Sequence, residues 1–262
     1  MTPTSNSSKT ASPAGCYPRE PLPITREVCT IHQPNLFPRL STLAKLFNAD
    51  CWIVLDDVQF TRRDYQHRTR LFDPARPERQ QWLSLSVHLP NGRSTKIRDA
   101  QIVDSRRSQR RTAQMIKERY RRSRHWPTFE PALQKVLDMF DSTDRVADIA
   151  EASTLAMLTA LGWKGIVLHS LHLEARQERN ERLVDLAVAA GAGTYLCGTG
   201  GAKYLDPEPF HRHGIAVDYH RTPTDGVWTG SRHTSAIHAL TTEGGQQLAR
   251  AIQSHARVPV PR

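Results

Sequence analysis

No stretch of this chain approaches the roughly 20 consecutive apolar residues that a membrane-spanning helix needs. The amino terminus also lacks the basic start and apolar block of a secretory signal. These absences predict a cytoplasmic protein with no membrane partner. The 4 cysteines, Cys16, Cys29, Cys51 and Cys197, form no CxxC pair, which argues against a disulfide framework or a thiolate zinc site and predicts reduced thiols. His169 and His172, then His211, His213 and His220, are loose pairs without an HExxH pattern or a matching carboxylate. No metal site is therefore expected, and no cofactor is assigned. No serine lies in a GxSxG elbow and no cysteine sits beside a candidate base, so a covalent hydrolase mechanism has little support. The glycine-rich segment 198–201 has neither the Lys-Ser/Thr of a P-loop nor the Rossmann glycine spacing.

What is present is enough for one core. Of 262 residues, 38% are hydrophobic, which suits a single substantial domain. Residues 1–26 are poor in bulky apolar groups and read as a disordered tail. Residues 27–256 read as the folded domain and residues 257–262 as a frayed carboxyl terminus. The formal charge of +10 is concentrated: residues 105–124 hold nine basic side chains against Glu118, a net +8. Any polyanion should bind that segment, since the remainder is nearly neutral.

The pattern along the chain alternates short apolar runs with helical spacing. Val28 to Ile31 is a β-favouring run ended by His32-Gln33-Pro34, and Pro34 and Pro38 bar its extension as a central strand. Leu40, Leu43, Ala44, Leu46 and Phe47 recur at helical spacing up to Asn48, and residues 51–55 then read as a buried strand ending in Asp56-Asp57. Trp82, Leu83, Leu85 and Val87 suggest one more strand before the turn at Pro90-Asn91-Gly92. In the basic segment Ala113, Ile116 and Tyr120 give a surface helix one narrow apolar face. Further helices are expected over 131–140, 146–161 and 178–190, and strands over 165–169, 194–197 and 215–219. Residues 235–252 read as a closing helix interrupted at Gly244-Gly245. The predicted fold is α/β, a single domain with a mostly parallel sheet flanked by helices.

Open sheets of this kind bind ligands beyond the carboxyl ends of their strands. Three polar clusters fall at such ends: His32-Gln33, Asp56-Asp57 with Gln59, and Gly198-Thr199-Gly200-Gly201 with Lys203 and Tyr204. His32 fits a general acid or base, or a turn histidine that steadies the prolines. Asp56 and Asp57 fit an ammonium or Mg²⁺ site, or caps of the next turn. The glycine segment offers backbone N–H groups to a phosphate or oxyanion, with Lys203 adding charge, or is simply a tight turn. Arg62, Arg63, Arg68 and Arg70 could clamp an anion or form a solvated charge run.

At these residues the chain resembles a known family. Ile31-His32-Gln33-Pro34-Asn35-Leu36-Phe37-Pro38 with Lys45, then Ala49-Asp50, Leu55-Asp56-Asp57-Val58-Gln59-Phe60 and Arg68, is similar to the opening signature of the WbqC-like proteins. Tyr195, Gly198, Gly201, Tyr204-Leu205-Asp206, Phe210 and Gly214-Ile215 resemble its second signature. The pattern departs at Arg39, where the family carries an aromatic residue, at His67, where it carries Asn, and in a carboxyl-terminal portion reduced to residues 226–238.

The resemblance implies a bacterial enzyme of O-antigen or other specialised biosynthesis, with a suggested glycine transferase activity. The expected reaction is acyl or aminoacyl transfer that makes an amide or ester on a small-molecule or sugar acceptor. His32, Asp56, Asp57 and Lys203 would then be catalytic, with His32 as base, Lys203 at the oxyanion and an aspartate holding the amino group. Gln33, Gln59, Arg63, Arg68, Gly198, Thr199, Gly200, Gly201 and Tyr204 would bind substrate. Arg110, Arg111, Arg121 and Arg122 would dock a polyanionic donor, an aminoacyl-tRNA or a carrier protein, with an adenylate as a third donor class. An ATP-dependent ligase or nucleotidyltransferase and a non-catalytic nucleic-acid-binding protein are the alternatives. The first would release pyrophosphate, and the second lacks an accompanying recognition motif.

Overall fold

Cys51–Val54 is apolar at every position because nothing there faces water. In the computed structural model, which describes residues 27–73 and 79–255, it is a strand, β2, buried at all four residues. A strand covered on both faces has no reason to alternate. Strand β1 (Val28–His32) pairs with it in parallel, Cys29 opposite Cys51 and His32 opposite Val54. With β7 (Ile166–His169), β8 (Thr194–Gly198) and β9 (Ala216–His220) they form a five-stranded, all-parallel sheet in the order β7-β2-β1-β8-β9. The chain winds outward from β1 through β2 to β7, then returns past β1 to β8 and β9. The reversal therefore lies between the carboxyl ends of β1 and β8, where crevices open in sheets of this topology.

Both faces are covered, as predicted. Trp52 and Val54 pack with α1 (Leu40–Phe47) and α4 (Val146–Ala160), whereas Cys51 and Ile53 pack with α5 (Arg179–Ala189) and α6 (Glu208–Arg212). Complete burial of each large apolar side chain contributes about 1.5–3 kcal/mol. The Trp52 indole N–H finds its partner in the His32 carbonyl, at 3.1 Å.

Between β2 and β7 the chain adds two antiparallel ribbons and two further helices. Strand β3 (Arg68–Leu71) pairs with β4 (Gln81–Ser84), and β5 (Val87–His88) with β6 (Gln101–Ile102). The single strand expected through Trp82 and Val87 is thus two: Leu85 still follows the first ribbon, its amide donating to the His67 carbonyl at 2.8 Å, and Val87 then takes Ile102 as its partner. Helix α2 (Ser105–Tyr120) buries Ile116 and Tyr120 fully and exposes Arg106, Arg107, Arg110 and Arg111, while Arg119 is held inward by Asp73. Helix α3 (Trp126–Asp138) starts well before the expected residue 131, since Pro127 occupies the first turn, where its missing N–H is not needed.

The closing helix is broken as anticipated into α7 (Ile237–Glu243) and α8 (Gly245–Gln253), with Gly244 at φ 82°. The glycine pair is required, because a Cβ on Gly245 would lie 1.9 Å from the Ala160 carbonyl oxygen. Residues 1–26 and 257–262, read above as tail and frayed end, lie outside the described residues. No helix among the described residues is long and apolar enough to cross a membrane.

One loop corner bears on the site. Phe37, between the two prolines, is the only non-glycine residue at positive φ (42°) among the described residues. Its amide donates to Ser153 Oγ (2.8 Å) and its carbonyl accepts from Thr69 Oγ1 (3.0 Å), while Thr154 Oγ1 donates to the Asn35 carbonyl (3.0 Å). A left-handed residue of this kind costs roughly 1–2 kcal/mol. Burial of its ring, 1% exposed, offsets that cost.

Candidate functional site

A pocket of about 470 Å³ opens at the reversal of the sheet, bordered by His32, Lys45, Cys197, Gly198 and His220. Each comes from an element whose carboxyl end or facing side points there: β1, α1, β8 and β9. Lys45 is the residue that sequence reasoning placed only within a signature and gave no role. It is 5% exposed, on a helix that buries six of its eight residues. Its Nζ lies 3.3 Å from His32 Nδ1, and no carboxylate lies within ion-pair distance of it among the described residues. Burial drives its pKa down to about 8, partly opposed by Cys197 and Cys29. A lysine flanked by Leu43, Ala44, Leu46 and Phe47 was the available signal, because a charged side chain amid apolar neighbours is rarely buried without purpose.

His32 is half-buried, and burial, with Lys45 and Arg39 adding to it, holds its pKa well below the ordinary value. Its Nε2 is buried with no protein partner. His220, at the end of β9, has the same features: it is 8% exposed, its Nε2 has no protein partner, and burial with Lys45 lowers its pKa to about 4. Its signal in the sequence was a polar residue closing a strand, as His32 closes β1.

Gly198, Thr199, Gly200 and Gly201 line the pocket as expected of a segment following β8. One of these glycines is required by close approach. A Cβ on Gly201 would sit 2.8 Å from Cys197 Sγ, whereas one on Gly198 would meet Lys45 Cδ at 3.4 Å, an ordinary van der Waals contact. The Gly201 and Ala202 amides turn back onto the Gly198 carbonyl (3.0 and 3.1 Å), so those two donors are spent inside the turn. Lys203 and Tyr204 follow that turn outward. Lys203 is exposed, and Tyr204 is 65% exposed beneath the Arg179 guanidinium. The lysine that borders the pocket is Lys45, and Lys203 does not.

The aspartates form a separate cluster beyond β2 and β7. Asp57 accepts from Arg182 and from Ser170 Oγ (2.8 Å), so both its oxygens are engaged, while Asp56 is half-buried. Burial raises the Asp56 pKa, and Asp57 adds to the effect while His169 opposes it. Glu151 and His169 stand nearby, 3.4 Å apart. Among the described residues no group of three or more His, Cys, Asp or Glu is placed to hold a metal. Asp57→Ala would leave the largely buried Arg182 without a partner, so it is expected to cost about 3–5 kcal/mol in urea unfolding. Adding Arg182→Met should recover much of that loss. An Asp57→Ala protein of unchanged stability would show the ion pair to be dispensable.

The other expected binding residues are distributed around the loops. Gln33 accepts from Gln66 Nε2 at 2.8 Å and Gln59 donates to the Arg93 carbonyl at 2.6 Å, both outside the pocket. Arg63 is exposed. Arg68 stacks on Trp82 (4.3 Å) and donates to the Asp64 carbonyl (3.2 Å), which steadies the loop carrying pocket residue Tyr65. Arg110 and Arg111 are exposed on α2. Arg121 and Arg122 border a second cavity, of about 740 Å³, together with Arg124 and His238.

A curated Mycobacterium tuberculosis protein, described as "Uncharacterized protein Rv1507c", is 22% identical over 189 residues, covering 72% of this chain and 80% of that one. No solved structure matches the chain. The model of the WbqC-like protein family matches residues 33–234, and the chain belongs to that family.

Proposed function

We propose that the pocket is the active site of an acyl or aminoacyl transferase that forms an amide or ester in a specialised bacterial metabolite or surface sugar. The observation that supports this reading is the His32–Lys45 pair. A neutral imidazole faces, through Nδ1, an amine that ionises near pH 8. With Lys45 deprotonated, His32 donates Nδ1–H to Nζ and offers a lone pair on Nε2 to the pocket. An acceptor amine or hydroxyl attacking the acyl carbon passes its proton to Nε2, and the Nδ1 proton moves to Lys45. The new C–N or C–O bond forms as the carbonyl electrons shift to oxygen, and the ammonium then faces that oxyanion. Collapse expels the donor's oxygen or sulfur, which regains the proton through the same pair. A base that ionises near the working pH is an efficient one.

Incubating the protein with labelled glycyl-tRNA, a glycyl carrier-protein thioester or glycyl adenylate, plus amino- and hydroxy-sugars, tests the reading. Label should reach a small acceptor from one donor class, and failure with all three would overturn it. Pyrophosphate release from ATP would favour the ligase alternative instead. If a tRNA or carrier protein is the donor, changing Arg110, Arg111, Arg121 and Arg122 to Gln should raise KM and flatten its salt dependence. The rate at saturating donor should persist, because contacts made equally in ground and transition states do not alter kcat. A KM unmoved by salt and by the substitutions would point to a small-molecule donor.

A further inference from the structure

The pocket has positive charge that no carboxylate among the described residues neutralises. Arg39, Lys45 and Arg232 border it, and no Asp or Glu does. None of the three makes an ion pair among the described residues, in contrast to Arg176 with Asp185, Arg182 with Asp57 and Arg119 with Asp73. The arginines are held by carbonyls instead. Arg39 Nη1 donates to the Arg232 carbonyl (3.1 Å) and lies over the Tyr65 ring (4.1 Å), while Arg232 Nη2 donates to the Thr222 carbonyl (3.3 Å). Carbonyl partners position a guanidinium without cancelling its charge. Arg39 Nε is buried without a partner, and so is Nε2 of His220, a side chain 92% buried that borders the same cavity.

We infer that this pocket takes a phosphate ester, whose phosphate group is bound by Arg39 and Arg232 with His220 donating from the interior. The inference rests on the pocket being the transferase site, and it names the class of substrate. Both carboxylates and phosphates suit guanidinium forks. Charge separates them: a phosphomonoester carries about two negative charges at pH 7 and three acceptor oxygens, which matches two arginines and a buried lysine better than a monoanion does. The ester could be a nucleoside monophosphate, the dianion that an adenylate donor leaves behind once its acyl group is transferred, or a sugar phosphate acting as acceptor.

Calorimetric titration of the full chain at low salt with inorganic phosphate, acetate, AMP and glucose 1-phosphate tests this without requiring turnover. A failed transfer assay and a failed binding assay therefore remain distinguishable. Phosphate should bind at least about ten-fold more tightly than acetate, and Arg39→Gln and the exposed Arg232→Gln should each weaken it about ten-fold, as expected for loss of one charge-assisted contact. One ester should bind more tightly than free phosphate: AMP if the donor brings the phosphate, glucose 1-phosphate if the acceptor does. Equal affinity for acetate would overturn the inference. So would phosphate binding unchanged in the folded double variant, or two esters that both bind more weakly than the free ion.

Discussion

His32→Ala is expected to lower turnover by about 10²–10⁴-fold, the usual contribution of a general base, while leaving the fold intact. The structural work of His32 is done by its backbone carbonyl, which accepts from the Leu55 amide and the Trp52 indole and is unchanged by the substitution. The wild-type pH profile carries the same information. Lys45 must give up its proton for His32 to present a lone pair, so kcat/KM should rise about ten-fold per unit and level off above about pH 8. The groups facing that amine are His32 and Cys29 on β1, Cys197 on β8 and His220 on β9, with Arg39 nearby. Lys45→Met should abolish the rise and, by removing a buried charge without a counter-ion, raise the melting temperature. A rise through pH 8 that survives in Lys45→Met would assign it to another group and remove the pair from the mechanism.

Acid is expected to unfold the protein early, through its buried imidazoles. Burial lowers the pKa of both His67 and His220 to about 4, and that of His32 well below the ordinary 6.5. Each folded value lies below the unfolded one, so the stability these groups contribute is complete above pH 6.5 and is lost as the pH falls toward 4. Each fully buried imidazole can contribute up to about 1.4 kcal/mol per pH unit across that window. Asp56 and Glu151 act oppositely: burial raises their pKa values, so their contribution is present at low pH and is lost as pH rises through the folded values. The net slope is therefore smaller than the histidines alone would give. Urea midpoints between neutral pH and about pH 4 measure it, with His67→Gln expected to flatten the curve. Midpoints that hold constant over that range would mean that the histidines protonate in the folded state without cost.

The parallel core was legible because its signal is local. Cys51–Val54 and Thr194–Gly198 are runs whose composition records burial on both faces, and the broken closing helix announced itself at Gly244-Gly245. Strand β3 was not, since Arg68–Leu71 reads as a charged stretch until β4 covers alternate residues. At the site, nearness along the chain misled. Lys203 stands two residues beyond Gly201, yet the Tyr204 and Leu205 amides fold back to the Gly201 carbonyl and carry the lysine outward. Arg39 and Arg232 meet although 193 positions separate them, as do Asp57 and Arg182 across 125. Such pairs are fixed by topology, and no local pattern marks them.

The corner at Phe37 has an evolutionary consequence. Its left-handed backbone is held in place by hydroxyls of α4 and β3, Ser153 and Thr69, and it lies two residues before Arg39 at the pocket. Loss of either hydroxyl would remove one of the bonds that hold the corner leading to the arginine, although neither residue borders the cavity. Divergent members of a lineage can therefore acquire a new ligand preference through substitutions 116 positions away, with every pocket side chain conserved. Comparing pocket residues alone would class such proteins as having the same specificity, and the hydroxyls at 69 and 153 are where their divergence would be recorded.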